Sequence, residues 1–73
     1  MNIDKLNTFE NILVEKGFKK IKNFCGVKFY QNNDIFASID DRNRIVDITN
    51  IEGKILFNEY SIRNLINFFN KIN

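Results

Sequence analysis

The apolar residues of this sequence repeat with a helical period at both ends of the chain and with a period of two between them. A helix over about residues 3–16 is predicted by one apolar face that consists of Ile3, Leu6, Phe9, Leu13 and Val14. A second helix over about residues 59–72 is predicted by the stripe Ile62, Leu65, Ile66, Phe69 and Ile72. Both terminal segments are therefore expected to be helical.

The alternation between the two helices predicts short strands. It is clearest in residues 35–40, where every second position is apolar. Further strands are predicted over residues 18–24, 27–30, 44–49 and 54–57. Because the intervening turns are short, the strands must pair as an antiparallel meander. The expected fold is α+β, with an N-terminal helix, a four- to five-stranded antiparallel meander and a C-terminal helix, both helices lying on one face of the sheet.

Local signals mark the ends of the two helices. Asn2 is the expected N-cap of the first helix. Gly17 followed by Phe18 predicts a Schellman ending, in which glycine takes the left-handed position and the next residue contacts the helix. Either Asn58 or Ser61 can cap the second helix, and we prefer Asn58.

Size and charge place the chain in a broad class. Its 73 residues have room for one domain, residues 1–73. A net charge of +2 is too small to require a nucleic-acid or membrane partner. Residues 1–8 contain no continuous apolar run that would mark a signal peptide or a membrane span, so a cytoplasmic location is expected. Asn, Ile, Lys and Phe dominate the composition, which is typical of an AT-rich genome such as that of a bacterium, its phage or a plasmid.

The residue types exclude most common catalytic sites. Without histidine there is no imidazole base, no Ser–His or Cys–His nucleophile pair and no His-containing zinc site. Cys25 is the single cysteine and has no activating partner nearby in the sequence, so we interpret it as a buried or half-buried packing residue. We therefore expect no catalytic residue, no cofactor, no metal and no small-molecule ligand, and we predict that the protein is not an enzyme.

One short pattern superficially resembles a metal site. Asp47 followed by Glu52, Gly53 and Lys54 has the order of the Asp…Glu-x-Lys constellation of metal-dependent nucleases. Those enzymes hold the metal between carboxylates at the ends of adjacent strands in a larger core. Here Glu52-Gly53 reads as a hairpin turn, so we interpret the pattern as a solvated turn.

Basic and aromatic residues are interleaved in residues 16–30, a segment that contains no acidic residue. Such strands can bind single-stranded nucleic acid, with ammonium groups on phosphates and aromatic rings under bases. The candidate contacts are Lys19, Lys20, Lys22 and Lys28. The alternative, which we favour, is an edge strand whose lysines deter aggregation. The second half of the chain is acidic on balance and would repel a long nucleic-acid tract.

The predicted sheet leaves one face uncovered by helices. If Val27 and Phe29 face the helices, the alternation places on the other face Tyr30, Phe36 and Ile45. An apolar patch on an uncovered face usually marks an interface. The alternative is a one-residue slip in register that would make Phe36 part of the core.

These observations predict a non-catalytic protein-binding module whose partner is another protein or a second copy of the chain. Small size, AT-rich coding and the lack of catalytic groups are typical of accessory proteins of phages and mobile elements. An inhibitor of a host defence complex, of the anti-CRISPR kind, is one member of that class. The alternative function is nucleic-acid binding through residues 16–30.

Overall fold

The structure is a computed structural model that describes residues 5–72. Its elements are α1 (Lys5–Glu15), β1 (Lys19–Phe24), β2 (Val27–Asn32), β3 (Ile35–Asp40), β4 (Ile45–Asn50), β5 (Ile55–Asn58) and α2 (Ile62–Ile72). The strands form one antiparallel sheet in the order β1-β2-β3-β4-β5. The predicted helix–meander–helix fold is confirmed. The expected helix start at Ile3 and the N-cap at Asn2 lie outside the described residues.

The core lies on one face of the sheet, here called the inner face. Residues paired across antiparallel strands point to the same face. One inner-face row therefore crosses four strands as Tyr30, Ala37, Ile48 and Phe57. Both helices contribute to the same buried cluster, through Phe9 and Leu13 of α1 and through Leu65 and Phe69 of α2.

The end of α1 has the predicted Schellman geometry. The Phe18 N–H donates to the Leu13 carbonyl at 2.9 Å, and the Gly17 N–H donates to the Val14 carbonyl at 3.0 Å. Gly17 has a φ of +92°, a region that side-chain-bearing residues rarely adopt. Phe18 is buried, so the turn that ends the helix also directs an aromatic ring into the core.

The preference for Asn58 as the N-cap of α2 was wrong, and the alternative residue, Ser61, caps the helix. The Ser61 hydroxyl accepts a hydrogen bond from the Asn64 N–H at 3.1 Å, directly before the helix begins at Ile62. Asn58 is instead the last residue of β5, and its side-chain amide donates to the Asp47 carboxylate. The strand ladder continues beyond β5, since Glu59 and Val46 exchange backbone hydrogen bonds of 3.2 and 3.3 Å. Extended pairing at this point keeps residue 58 from capping a helix.

The register of β2 differs from the prediction by one residue. Asn32 pairs with Ile35 across a turn of two residues, Asn33 and Asp34, which places Tyr30 and not Phe29 opposite Ala37. Because side chains alternate between faces, this shift moves every side chain of β2 to the opposite face. Tyr30 thus points toward the helices, and Phe29 points away from them.

The helices are short. None of those formed by residues 5–72 is long and apolar enough to cross a membrane.

Candidate binding surface on the outer face of the sheet

The face of the sheet away from the core, here called the outer face, carries three rows of cross-strand neighbours. The middle row consists of Lys22, Phe29, Ser38, Asp47 and Asn58. The row next to the β1–β2 turn consists of Phe24, Val27, Asp40 and Ile45. The row next to the β2–β3 turn consists of Lys19, Gln31, Phe36, Thr49 and Ile55. Within the described residues, no helix covers these rows.

Two half-buried aromatic residues occupy the centre of this face. Phe29 lies on β2 opposite Ser38, and Phe36 lies on β3 opposite Gln31. The two phenylalanines are therefore diagonal neighbours, a separation that aromatic rings can bridge. Both line a concave region of about 380 Å³, whose other lining residues include Ser38, Asp47, Thr49 and Ile55. The small side chains beside the large rings leave a shallow apolar depression.

Charge is distributed unevenly over the outer face. The Lys22 Nζ lies 5.2 Å from the centroid of the Phe29 ring and 6.0 Å from that of Phe24. At those distances an ammonium group is attracted to the ring face. On the other side of β3, the Asp47 carboxylate accepts the hydrogen bond from Asn58. The β1 side is thus positive and the β4 side negative.

The three residues predicted to form the apolar patch do not share one face. Phe36 and Ile45 lie on the outer face, and Ile45 is 37% exposed. The placement of Tyr30 there was wrong, because this residue is 1% exposed and belongs to the core. Phe29 takes its place on the outer face. The two-residue length of the Asn33-Asp34 turn, which the structure shows, fixes this register of β2.

Tyr30 is held on the inner face by a polar contact with α1. Its hydroxyl donates to the Glu10 Oε2 at 2.5 Å, and the Lys28 Nζ lies 3.7 Å from the same oxygen. The hydrogen bond from Tyr30 holds the pKa of Glu10 below its usual value. Burial, together with the Glu10 carboxylate, raises the pKa of Tyr30 above its usual range. The cluster ties β2 to α1.

The four candidate nucleic-acid contacts are divided between the two faces. Lys19 and Lys22 pair with outer-face residues, whereas Lys20 pairs with Tyr30 and Lys28 pairs with Ile39 on the inner face. A bulge between Lys20 and Lys22 produces this division within β1, since it inserts one residue into the alternation. All six residues of β1 are exposed. The lysines therefore do not form one basic surface.

Cys25 is not the packing residue that we expected. It is exposed at the tip of the β1–β2 hairpin. Its φ is +52° and that of Gly26 is +81°, so both central residues of this two-residue turn are left-handed. Such turns match the twist of the flanking strands, and the position at the hairpin tip leaves the Cys25 side chain exposed.

The residues of the nuclease-like pattern are separated in the structure. Asp47 lies on the outer face, whereas Glu52 is in the β4–β5 turn, where its N–H donates to the Asn50 side chain at 3.0 Å. Among residues 5–72 there is no group of three or more His, Cys, Asp or Glu side chains placed to hold a metal ion.

Comparison of the chain with known proteins finds no match among protein-family models, curated proteins or solved structures.

Proposed function

We propose that the protein is a non-catalytic protein-binding module and that the outer face of the sheet is its binding surface. The observation that carries this proposal is the pair Phe29 and Phe36 at the centre of a sheet face that no described helix covers. Contiguous apolar surface of this kind is typical of interaction sites.

The composition of the outer face also supports protein binding. Val27 and Ile45 extend the apolar centre along the row beside the β1–β2 turn. Polar and charged residues also lie on this face, with Lys19 and Asn58 on the edge strands and Asp40 between Val27 and Ile45. Protein interfaces commonly combine an apolar, aromatic centre with a polar rim. Central aromatic side chains contribute a large share of the binding energy in such interfaces.

We propose that the protein belongs to the accessory proteins of phages and mobile elements. This assignment is argued from size and composition alone. An inhibitor of a host defence complex, of the anti-CRISPR kind, would act through a binding surface without catalysis.

A retention experiment tests the proposed function. The parent protein and Phe36→Ser are immobilised and exposed to an extract of the cells that naturally express the protein. We expect Phe36→Ser to lose the proteins that the parent retains. Ile66→Ser is the matched control, because Ile66 is 43% exposed but lies on α2, away from the outer face. Equal retention by the parent and by Phe36→Ser would contradict the proposal.

The alternative of nucleic-acid binding has one supporting contact, the Lys22 ammonium beside the rings of Phe24 and Phe29. Two lysines on the outer face would neutralise about two phosphates, which gives a log–log salt slope no steeper than about −1.4. The carboxylates of Asp40 and Asp47 on the same face oppose even this attraction. We therefore expect no tight binding to labelled single-stranded DNA or RNA at physiological salt. Submicromolar binding that is lost in Lys22→Glu would favour the alternative instead.

A further inference from the structure

We infer that the outer face is self-complementary and that its partner is a second copy of this chain, packed sheet against sheet around β3. This inference rests on the proposed function, because it takes the outer face as the binding surface. It adds the identity of the partner and the orientation in which that partner binds.

The charges of the middle row have opposite signs on the two sides of β3. Lys22 lies on β1, two strands to one side, and Asp47 lies on β4, one strand to the other side. Lys19 adds a second positive charge on β1. A surface whose two halves carry opposite charge is complementary to a copy of itself that is rotated by 180°, so that the positive half of each copy lies over the negative half of the other.

The orientation follows from the symmetry of a two-fold dimer, in which every contact occurs twice. A two-fold axis parallel to β3 places β1 of one copy over β5 of the other, and β2 over β4. Lys22 then approaches the Asn58–Asp47 pair of the second copy, and the reverse contact forms at the same time. An axis perpendicular to the strands would instead place Lys22 over Lys22 and Asp47 over Asp47. The charge pattern therefore selects the axis parallel to β3.

The same orientation also matches apolar residues. Phe36 lies on β3, so it meets Phe36 of the second copy, while Val27 meets Ile45.

Two meetings are less favourable. Phe29 of each copy lies over Asp47 of the other, whose carboxylate Lys22 of the first copy then approaches. The two Asp40 carboxylates also face each other at the end of β3. Asn43 binds both oxygens of each carboxylate, at 3.1 and 2.8 Å, which disperses this charge at the rim.

The area of the outer face limits the strength of the dimer. Strands β1 to β4 contain six residues each, and the sheet has five strands. At about 4.8 Å between strands and about 3.3 Å per residue, the face measures about 24 by 20 Å, or about 500 Å² per copy. The total of about 1,000 Å² is near the lower limit for a specific interface. We therefore expect a dimer that dissociates in the micromolar range.

Sedimentation equilibrium on charge-reversed variants tests both the partner and the orientation. Lys22→Glu and Asp47→Lys should each raise the dimer dissociation constant at least about tenfold, because each brings like charges together twice. An equimolar mixture of the two variants should form a dimer again. In that mixed dimer the two reversed residues meet each other, and the two unchanged residues meet each other.

The control is Lys20→Glu, which makes the same change of charge on the same strand but on the inner face. Its dissociation constant should stay within about twofold of the parent value. Circular dichroism melts check that every variant folds. Phe36→Ser gives a second test of the dimer that does not change the charge. This variant should also shift the protein to the monomer.

A parent protein that stays monomeric up to about 1 mM would overturn the inference, as would a variant mixture that fails to dimerise. The retention experiment then separates this failure from failure of the proposed function. A monomeric parent whose retention of a different protein is lost in Phe36→Ser has an outer-face partner other than itself. A monomeric parent whose retention is unchanged in that variant has no outer-face partner.

Discussion

The inner and outer faces of one sheet carry similar apolar side chains that are buried to different extents. On the inner face, Ile39, Val46 and Ile48 are 0% exposed and pack against two helices. On the outer face, Phe29 and Phe36 are half-buried among their sheet neighbours, and neither helix within residues 5–72 covers them. Burial of apolar surface supplies most of the stability of a domain, and the cost of truncating a side chain follows how fully it is buried. The inner face therefore stabilises the fold, whereas the outer face contributes less to stability and leaves apolar area uncovered by the helices of residues 5–72.

Truncation of a core aromatic should have the largest effect on stability. Phe69 is 3% exposed, and its ring lies 5.9 Å from that of Phe18 and 5.2 Å from that of Phe68. We expect Phe69→Ala to lower the free energy of unfolding by about 3–5 kcal/mol, because it removes this contact area and leaves a cavity. Urea unfolding measures the change. Ile66→Ala on the exposed side of the same helix is the control, and an equal loss in both variants would contradict the described packing of α2.

Removal of one hydroxyl group tests the corrected position of Tyr30. Tyr30→Phe keeps the ring but removes the hydrogen bond to Glu10, which leaves a carboxylate without its donor. We expect a loss of about 1–2 kcal/mol in the free energy of unfolding. Tyr60→Phe is the matched control, because the Tyr60 hydroxyl donates to Asp41 in an exposed position and should contribute less. Equal and small losses would show that Tyr30 is not anchored to α1.

The pH dependence of stability should reveal the same cluster. The folded state holds the pKa of Glu10 below its unfolded value, which is about 4.3 for a glutamate. The stabilisation is thus fully present above the unfolded pKa and is lost as the pH falls through the folded pKa. Glu10→Gln should flatten this acid limb in urea unfolding between about pH 5 and pH 3. The pKa of Asp40 is also lowered, by its hydrogen bonds from Asn43, so the parent curve and the variant curve must be compared directly.

Features set by neighbouring residues could be predicted from the sequence. The Gly17-Phe18 ending of α1 depends on six consecutive residues, and its hydrogen bonds are as expected. The strand at residues 35–40 was predicted with its observed ends, because alternation and flanking turns agree there. Local signals of this kind do not depend on how distant segments pack.

Features set by pairing between segments could not be predicted in this way. Within β2, Val27 and Phe29 alternate as a core face would, yet the two-residue turn and the Glu10 contact place Tyr30 inside. The Ser61 cap depends on how far β5 continues along β4. The bulge in β1 divides the lysines between the two faces of the sheet, and no residue type in that strand indicates a bulge. The candidate site changed for the same reason, with Phe29 replacing Tyr30.

The smallest expected change in stability tests the central difference between the two faces most directly. Phe36→Ala should lower the free energy of unfolding by about 1 kcal/mol or less when measured at a concentration low enough for the monomer, because neither helix of residues 5–72 packs on this side chain. The same variant should lose association in sedimentation or retention. A loss of about 3–5 kcal/mol with unchanged association would instead place Phe36 in the core. That result would contradict the account of the outer face as a binding surface.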